Sequence, residues 1–421
     1  MNNQSKTFCL HPFTGLATST DGSILVCCRS HPIGNIKDNS LEEIWNNDKM
    51  REIRRKVLNG EWPSECASCK LDEDSGVESM RLRHISGRIP ETRSLLYPNA
   101  LDELDDDHKM PFKIPSMEIK LNNLCNLKCR MCHPMDSTSW NDWDQVEEFY
   151  KKEGNFMINF IEKNNLKRKP YLNFYEDNPN WWNSFEKNIP YFDRVEFAGG
   201  EPLMDPEHYK ILSMLKPYGK NITLKYATNG TTLGIKSGNI YDYWPNFKSV
   251  MVSISMDGIG DVYNYIRGNS EWQLVLDNIK RIQMMPNIKR IVCSAAVQVG
   301  NVMKIDQMIE FLLNDLGVVY WNNFVNHPNL LSAQVLPEPL KKIAAERLMD
   351  MRDKVPGFKM VQQYPILKDL TIKQINGIIS YMYAKDLSHM WKDCVEFNHR
   401  LDTSRNQKKF EEVNEDFLPY V

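Results

Sequence analysis

Residues 121–134 read LNNLCNLKCRMCHP and place Cys125, Cys129 and Cys132 on one short loop at the spacing Cys-x3-Cys-x2-Cys. Thiolates are soft ligands that suit iron-sulfur clusters or zinc, and each of the three can hold one iron of a cubane. The loop supplies no fourth cysteine. A ferredoxin run offers one close by and a structural zinc site closes its tetrahedron, so here one iron of a cubane is left open to an outside ligand. The competing reading is a zinc ion completed by His133.

The trio comes directly after a strand-like stretch, Met117 to Leu121, and five more follow: Arg194 to Phe197, Ile222 to Tyr226, Ser249 to Ser255, Arg290 to Val297 and Val318 to Phe324. Each is short and rich in β-branched or aromatic residues. Helical segments lie between them. Asp205 before Pro206 reads as an N-cap with proline at the first helical position, and Asn301 reads as the cap of a run sharing Ile305, Ile309 and Leu312 before Gly317. Alternating strands and helices predict an α/β fold with a parallel sheet, here a partial (β/α)6 TIM-like barrel over residues 116–336. The cysteine loop then stands where barrels carry their active-site loops. Residues 337–421 have helical periodicity and predict a C-terminal helical extension.

Ahead of the barrel, residues 1–80 are dense in Cys, Gly and Pro and predict a small N-terminal cysteine-rich domain. Its one clear helix is Ser40 to Val57, with Leu41, Ile44, Trp45, Met50 and Ile53 on one face. Residues 81–115, with the proline-rich and charged stretch Gly87 to Pro111 and its acidic run Asp102 to Asp107, predict a linker. No repeat of solenoid period is present.

The 421 residues carry 52 basic and 55 acidic side chains, a net charge of −3, so no overall field recruits nucleic acid or an anionic membrane. No apolar stretch reaches membrane-spanning length, and the first residues lack the pattern of a signal peptide. The expected compartment is the cytoplasm, where ten cysteines read as metal ligands or thiols rather than a disulfide framework.

In order and position, these motifs resemble the radical S-adenosylmethionine (SAM) superfamily over Ser116 to about Gln334. The trio resembles the family's cluster signature, and Gly199-Gly200-Glu201-Pro202, after the second strand, resembles its GGEP motif. Asn229, in Ala227-Thr228-Asn229-Gly230, resembles the TNG element. The resemblance implies one [4Fe-4S] cluster on Cys125, Cys129 and Cys132, and SAM cleaved reductively to methionine and a 5′-deoxyadenosyl radical that abstracts hydrogen from a substrate. It further implies Gly199, Gly200, Glu201 and Pro202 at the methionine end, Ser255 and Asp257 at the ribose, Arg267 near the SAM carboxylate, and a flavodoxin or ferredoxin reductant. On residues alone, Gly-Gly-Glu-Pro and Asn-Gly also read as plain turns, and Arg267 as a solvated arginine. Met131 departs from the family, which often has an aromatic there.

Cys9, Cys27, Cys66 and Cys69 resemble the SPASM or twitch domain, which implies an auxiliary [4Fe-4S] cluster. Two departures stand out: the domain precedes the barrel, and it has too few cysteines for two auxiliary clusters. The spacing fits zinc as well, and leaves Cys27 or Cys28 as the ligand. Cys293 and Cys394 read as packing thiols. Many relatives with such domains modify peptides, so the resemblance favours a peptide or protein substrate over a small metabolite such as a sugar or nucleotide. The aromatic-rich residues 170–192, with Trp181 and Trp182, read as core or lid packing ahead of a substrate path. Outside the enzyme class stand a non-catalytic iron-sulfur electron carrier and a zinc-stabilised binding module.

Overall fold

The computed structural model describes residues 5–74, 79–85, 101–154, 156–163, 165 and 171–421. The predicted linker lies in part outside the described residues, at 86–100, as does residue 170 of the aromatic stretch. The chain divides into two compact units, one of residues 1–123, 172–227 and 234–251 and the other of residues 124–171, 228–233 and 252–421.

In the first unit, strands β1 (Gly15–Thr18), β2 (Ser23–Leu25), β3 (Pro32–Asn35), β4 (Ser116–Lys120), β5 (Arg194–Ala198) and β6 (Thr223–Thr228) lie in the order β6-β5-β4-β1-β2-β3. The pairs β1/β4, β4/β5 and β5/β6 are parallel, and β1/β2 and β2/β3 antiparallel. Parallel neighbours require crossover segments, and Pro206–Leu215 is the helix between β5 and β6. Its N-cap forms as the sequence predicts, with Asp205 accepting from the Glu207 N–H at 2.9 Å. Side chains alternate along β4 to β6. Met117, Ile119, Val195, Phe197, Leu224 and Tyr226 are buried, while Glu118, Glu196 and Lys225 occupy the other face.

The helix expected over Ser40 to Val57 is two helices, Leu41–Trp45 and Asp48–Asn59. Asn46 breaks the run because its amide exchanges hydrogen bonds with the Met110 backbone, at 2.7 and 2.9 Å. Asn47 then caps the second helix by accepting from Met50 N–H. The predicted apolar face survives, with all five residues buried.

In the second unit, β7 (Ser249–Ser255, from Val252 onward) precedes β8 (Ile288–Val297) and β9 (Val319–Phe324). The last two are parallel, in register from Val292/Val319 to Val297/Phe324. Asn301 does not cap the helix that follows. Its side chain accepts from Gln298 N–H and donates to Ala296 O, both at 2.9 Å, and so closes the turn after β8. Gly317 ends that helical run in the left-handed region, at φ 69°. Toward the C-terminus, Glu338–Lys354, Ile366–Ala384 and Trp391–Arg405 are helices. The architecture is mixed α/β with parallel strands, and among the described residues no helix is long and apolar enough to cross a membrane.

Trp181 is fully buried against Tyr175 and Phe185, so it packs the core of the first unit. His208 is buried too, with Nε2 2.9 Å from the Tyr226 hydroxyl. Burial pushes its imidazole from 6.5 down to about 3. A folded-state pKa below the unfolded one stabilises above the unfolded value, and that stability is lost as pH falls toward the folded value. His208→Gln is therefore expected to flatten the decline of the thermal midpoint below pH 6.5, a term of roughly 5 kcal/mol at most. Parallel profiles in variant and wild type would refute this.

Candidate functional site

In the second unit the cysteine loop is held by a dense set of backbone contacts. Cys129 sits in a two-residue antiparallel pairing, opposite Arg267, and Arg130 N–H donates to Ile266 O at 2.9 Å. The Trp140 indole N–H and the Cys132 N–H both donate to Cys129 O, at 3.0 and 2.9 Å. The Thr138 and Ser139 hydroxyls donate to Cys125 O, at 3.1 and 2.8 Å.

N–H donors also aim at the sulfurs. Leu127 N–H stands 3.5 Å from Cys125 Sγ, Asn229 Nδ2 3.8 Å from the same atom, and Arg267 Nη1 3.6 Å from Cys129 Sγ. Such donors stabilise thiolate charge and raise the potential of a cluster held there. Without one, burial pushes the Cys129 and Cys132 thiols up. The donor set thus fits a thiolate-ligated cluster. His133 turns Nε2 toward Asp136, at 3.5 Å.

Asn229 spends its amide on this loop. Nδ2 also donates to Asn126 Oδ1 at 3.0 Å, and Oδ1 accepts from Thr231 N–H at 2.9 Å. Gly230 follows at φ 71°, its carbonyl held by Asn278. Asp257 is completely buried, with one oxygen accepting from Ala296 N–H at 2.7 Å and the other 2.8 Å from Arg267 Nη2. Burial works against the charge of Arg267, but Asp257 and then Cys129 outweigh it and hold the guanidinium protonated. Asp257 orients Arg267 against the Cys129 sulfur, and Ser255 stands half-buried at the end of β7.

The GGEP residues lie in the first unit. Gly199 has φ 122°, a region that disfavours any side chain, and a Cβ there would come within 3.1 Å of Asn122 O. Gly200 N–H donates to that same carbonyl at 3.2 Å. Glu201 is 1% exposed and caps the turn Pro202–Met204 by accepting from Leu203 N–H at 3.1 Å. Pro202 is buried beside it. Gly199→Ala is expected to cost about 1–3 kcal/mol and to weaken SAM binding, which thermal melts and equilibrium dialysis check. Unchanged values in both would contradict the assignment.

Also in the first unit, Cys9, Cys27, Cys66 and Cys69 line one cavity together with Trp62 and Arg81. Cys28 is not among its walls. It faces a neighbouring cavity instead. Burial pushes the Cys9 and Cys66 thiols up to about 12 and the Cys27 thiol higher still, so loading four thiolates there must release protons. Arg81 is buried at the rim, held by Glu73 and by Phe8 O, and its charge opposes the rise at Cys9 and Cys66. Cys293 and Cys394 are fully buried packing thiols.

Nothing local in the sequence marks Arg130 and Arg405. Arg130 is 1% exposed and ion-paired with buried Asp402. It also donates to Asn398 Oδ1 at 3.0 Å, Gln407 Oε1 at 3.1 Å and Tyr265 O at 3.1 Å, and stacks 3.6 Å from the Tyr265 ring. Arg405 donates to Lys128 O at 2.8 Å and pairs with Asp142 at 2.6 Å. Helix Trp391–Arg405 therefore grips both sides of Cys129.

Comparison with known proteins agrees with this chemistry. Residues 119–294 match the radical SAM superfamily model, and residues 9–70 match the SPASM model, described as an iron-sulfur cluster-binding domain. A search of curated proteins finds no match. Among solved structures, TYW1 with a lysine-pyruvate adduct bound is similar at 13% identity and a TM-score of 0.30, over 58% of this chain and 71% of that one. Streptococcus suis SuiB bound to S-adenosylmethionine is similar at 12% identity and a TM-score of 0.34, over 83% of this chain and 70% of that one. Three cysteines on one braced loop, four more around a single cavity and two family models on those same residues converge: residues 119–294 are a radical SAM domain, which implies a SAM-binding [4Fe-4S] cluster, and residues 9–70 are an N-terminal SPASM domain, which implies an auxiliary cluster.

Proposed function

We propose that Cys125, Cys129 and Cys132 ligate the SAM-binding cluster and that the enzyme abstracts a hydrogen atom from a peptide or protein. The observation that carries the ligand assignment is the set of N–H donors from Leu127, Asn229 and Arg267 on the Cys125 and Cys129 sulfurs. When bound, the cluster supplies the electron that cleaves SAM to methionine and a 5′-deoxyadenosyl radical.

The chain's own residues hold and orient. The Gly199 and Gly200 backbone admits the methionine end of SAM, Glu201 accepts an N–H from its amino group, and Pro202 fixes the turn. Arg267, held by Asp257, neutralises charge at the cluster and the SAM carboxylate, and Asn229 braces the cysteine loop. Ser255 serves the ribose. Cys9, Cys27, Cys66 and Cys69 ligate the auxiliary cluster.

In this reading β4 to β9 form the partial (β/α)6 barrel within residues 116–336, preceded by the cluster domain of residues 1–80 and a linker at 81–115, and followed by a helical extension at 337–421. A flavodoxin or ferredoxin supplies electrons, and the reducing cytoplasm suits two oxygen-sensitive clusters. The peptidyl substrate is supported by the presence of a SPASM domain. Anaerobic reconstitution with SAM and dithionite tests the reading: 5′-deoxyadenosine is expected from wild type and none from Cys129→Ala. Equal product from both would overturn the ligand assignment.

A further inference from the structure

Strands β4 and β5 are parallel and in register up to Lys120 and Ala198, so their C-terminal ends deliver Asn122 and the Gly199-Gly200 pair side by side. The Asn122 carbonyl accepts from Gly200 N–H at 3.2 Å and stands 3.1 Å from where a Cβ on Gly199 would lie. The side chain of the same residue reaches the far end of the turn. Its Nδ2 donates to Asp205 Oδ2 at 2.8 Å, while Asp205 Oδ1 accepts from Glu207 N–H and caps the helix Pro206–Leu215. One asparagine thus spans the GGEP turn from its glycines to the residue that starts the helix.

Between these anchors the turn closes on itself, with Met204 N–H on Glu201 O at 3.1 Å and Asp205 N–H on Pro202 O at 3.2 Å. Glu201 therefore moves as the turn moves. Asn122 and Asp205 are 4% and 3% exposed. Burial pushes the Asp205 carboxyl up to about 6, and the Asn122 amide is among the donors that oppose the rise. Water does not replace a partner lost in such a place, so removal of the amide leaves Oδ2 unsatisfied. A small cavity lined by Asn122, Gly200, Glu201 and Asp205 then gives the turn room to shift.

We propose that Asn122 is a positioning residue: holding Gly200 through its carbonyl and Asp205 through its amide, it fixes where Glu201 meets the amino group of SAM. The inference rests on the radical SAM reading and goes beyond it by adding a residue that acts through the turn. If Asn122 served only the helix cap, its loss would lower stability without distinguishing one ligand from another.

The probes are SAM and 5′-methylthioadenosine, which keeps the adenosine and the sulfur and lacks the amino acid. In equilibrium dialysis of the anaerobic holoprotein without reductant, Asn122→Ala is expected to weaken SAM binding about tenfold and to leave 5′-methylthioadenosine binding unchanged. Asn122→Asp sets two carboxylates together and should lose more. Adding Asp205→Asn to it restores the bond with donor and acceptor exchanged, keeps a good cap, and should recover most of the affinity. Hydrogen exchange across residues 198–205, followed without SAM, should quicken in Asn122→Ala. The proposal falls if Asn122→Ala keeps wild-type SAM affinity, loses affinity for both ligands equally, loses iron or leaves that exchange unchanged, or if the double variant is no better than Asn122→Asp. A wild type that binds both ligands alike overturns the radical SAM reading of the turn and the proposal with it, which sets that failure apart from the others.

Discussion

Replacing Cys129 with alanine is expected to remove one cluster and spare the other, so that iron after anaerobic reconstitution falls from about eight to about four atoms per chain. The two sets of thiols have separate surroundings. Cys129 is buried on a loop braced by Trp140, Thr138 and Ser139, whereas Cys9, Cys27, Cys66 and Cys69 share a cavity of their own. Cys27→Ala should lower iron by the same amount, from the other site. Cys28→Ala should leave the count unchanged, because its thiol faces Glu118. Loss of all iron in Cys129→Ala, or equal loss in the Cys27 and Cys28 variants, would contradict this division.

The second large effect is expected at a residue between two ligands. Arg130→Met removes a guanidinium that is 1% exposed and leaves Asp402, Asn398 and Gln407 without their donor. Breaking a buried ion pair from one side costs about 3–5 kcal/mol, since the remaining charge stays buried. Arg130→Lys should recover little, because an ammonium cannot donate to so many acceptors in one plane. The double variant Arg130→Met, Asp402→Leu should recover much of the loss. Thermal midpoints and the rate of iron release to a chelator check this together. Faster release is expected, as the loop that carries Cys129 and Cys132 loses its anchor. A midpoint and a release rate both equal to wild type would refute the role of helix Trp391–Arg405.

How much of this was legible beforehand follows from sequence distance. Six strands were readable because each is a local run of β-branched or aromatic residues, and the cysteine trio because its spacing spans only eight residues. Strands β1 to β3 were missed. They are three or four residues long, and β1 gains its place by pairing with β4 about a hundred residues away. The Arg130–Asp402 pair joins positions 272 residues apart and leaves no local trace. Asn46 and Asn301 were misread for a related reason, since an asparagine that can cap or continue a helix is decided by tertiary partners, here Met110 and the end of β8. Asp257, which the family resemblance puts at the ribose, becomes the support of Arg267 only when β8 brings the Ala296 N–H to it.

The central claim is that the iron lacking a cysteine on the 125–132 loop takes the amino and carboxylate groups of SAM. Electron-nuclear double resonance on the reduced holoprotein with SAM carrying nitrogen-15 in its amino group tests this directly. A nitrogen-15 coupling to the cluster that is absent in Cys129→Ala is the expected result. A cluster spectrum indifferent to SAM, with that iron already ligated by a protein side chain, would contradict it.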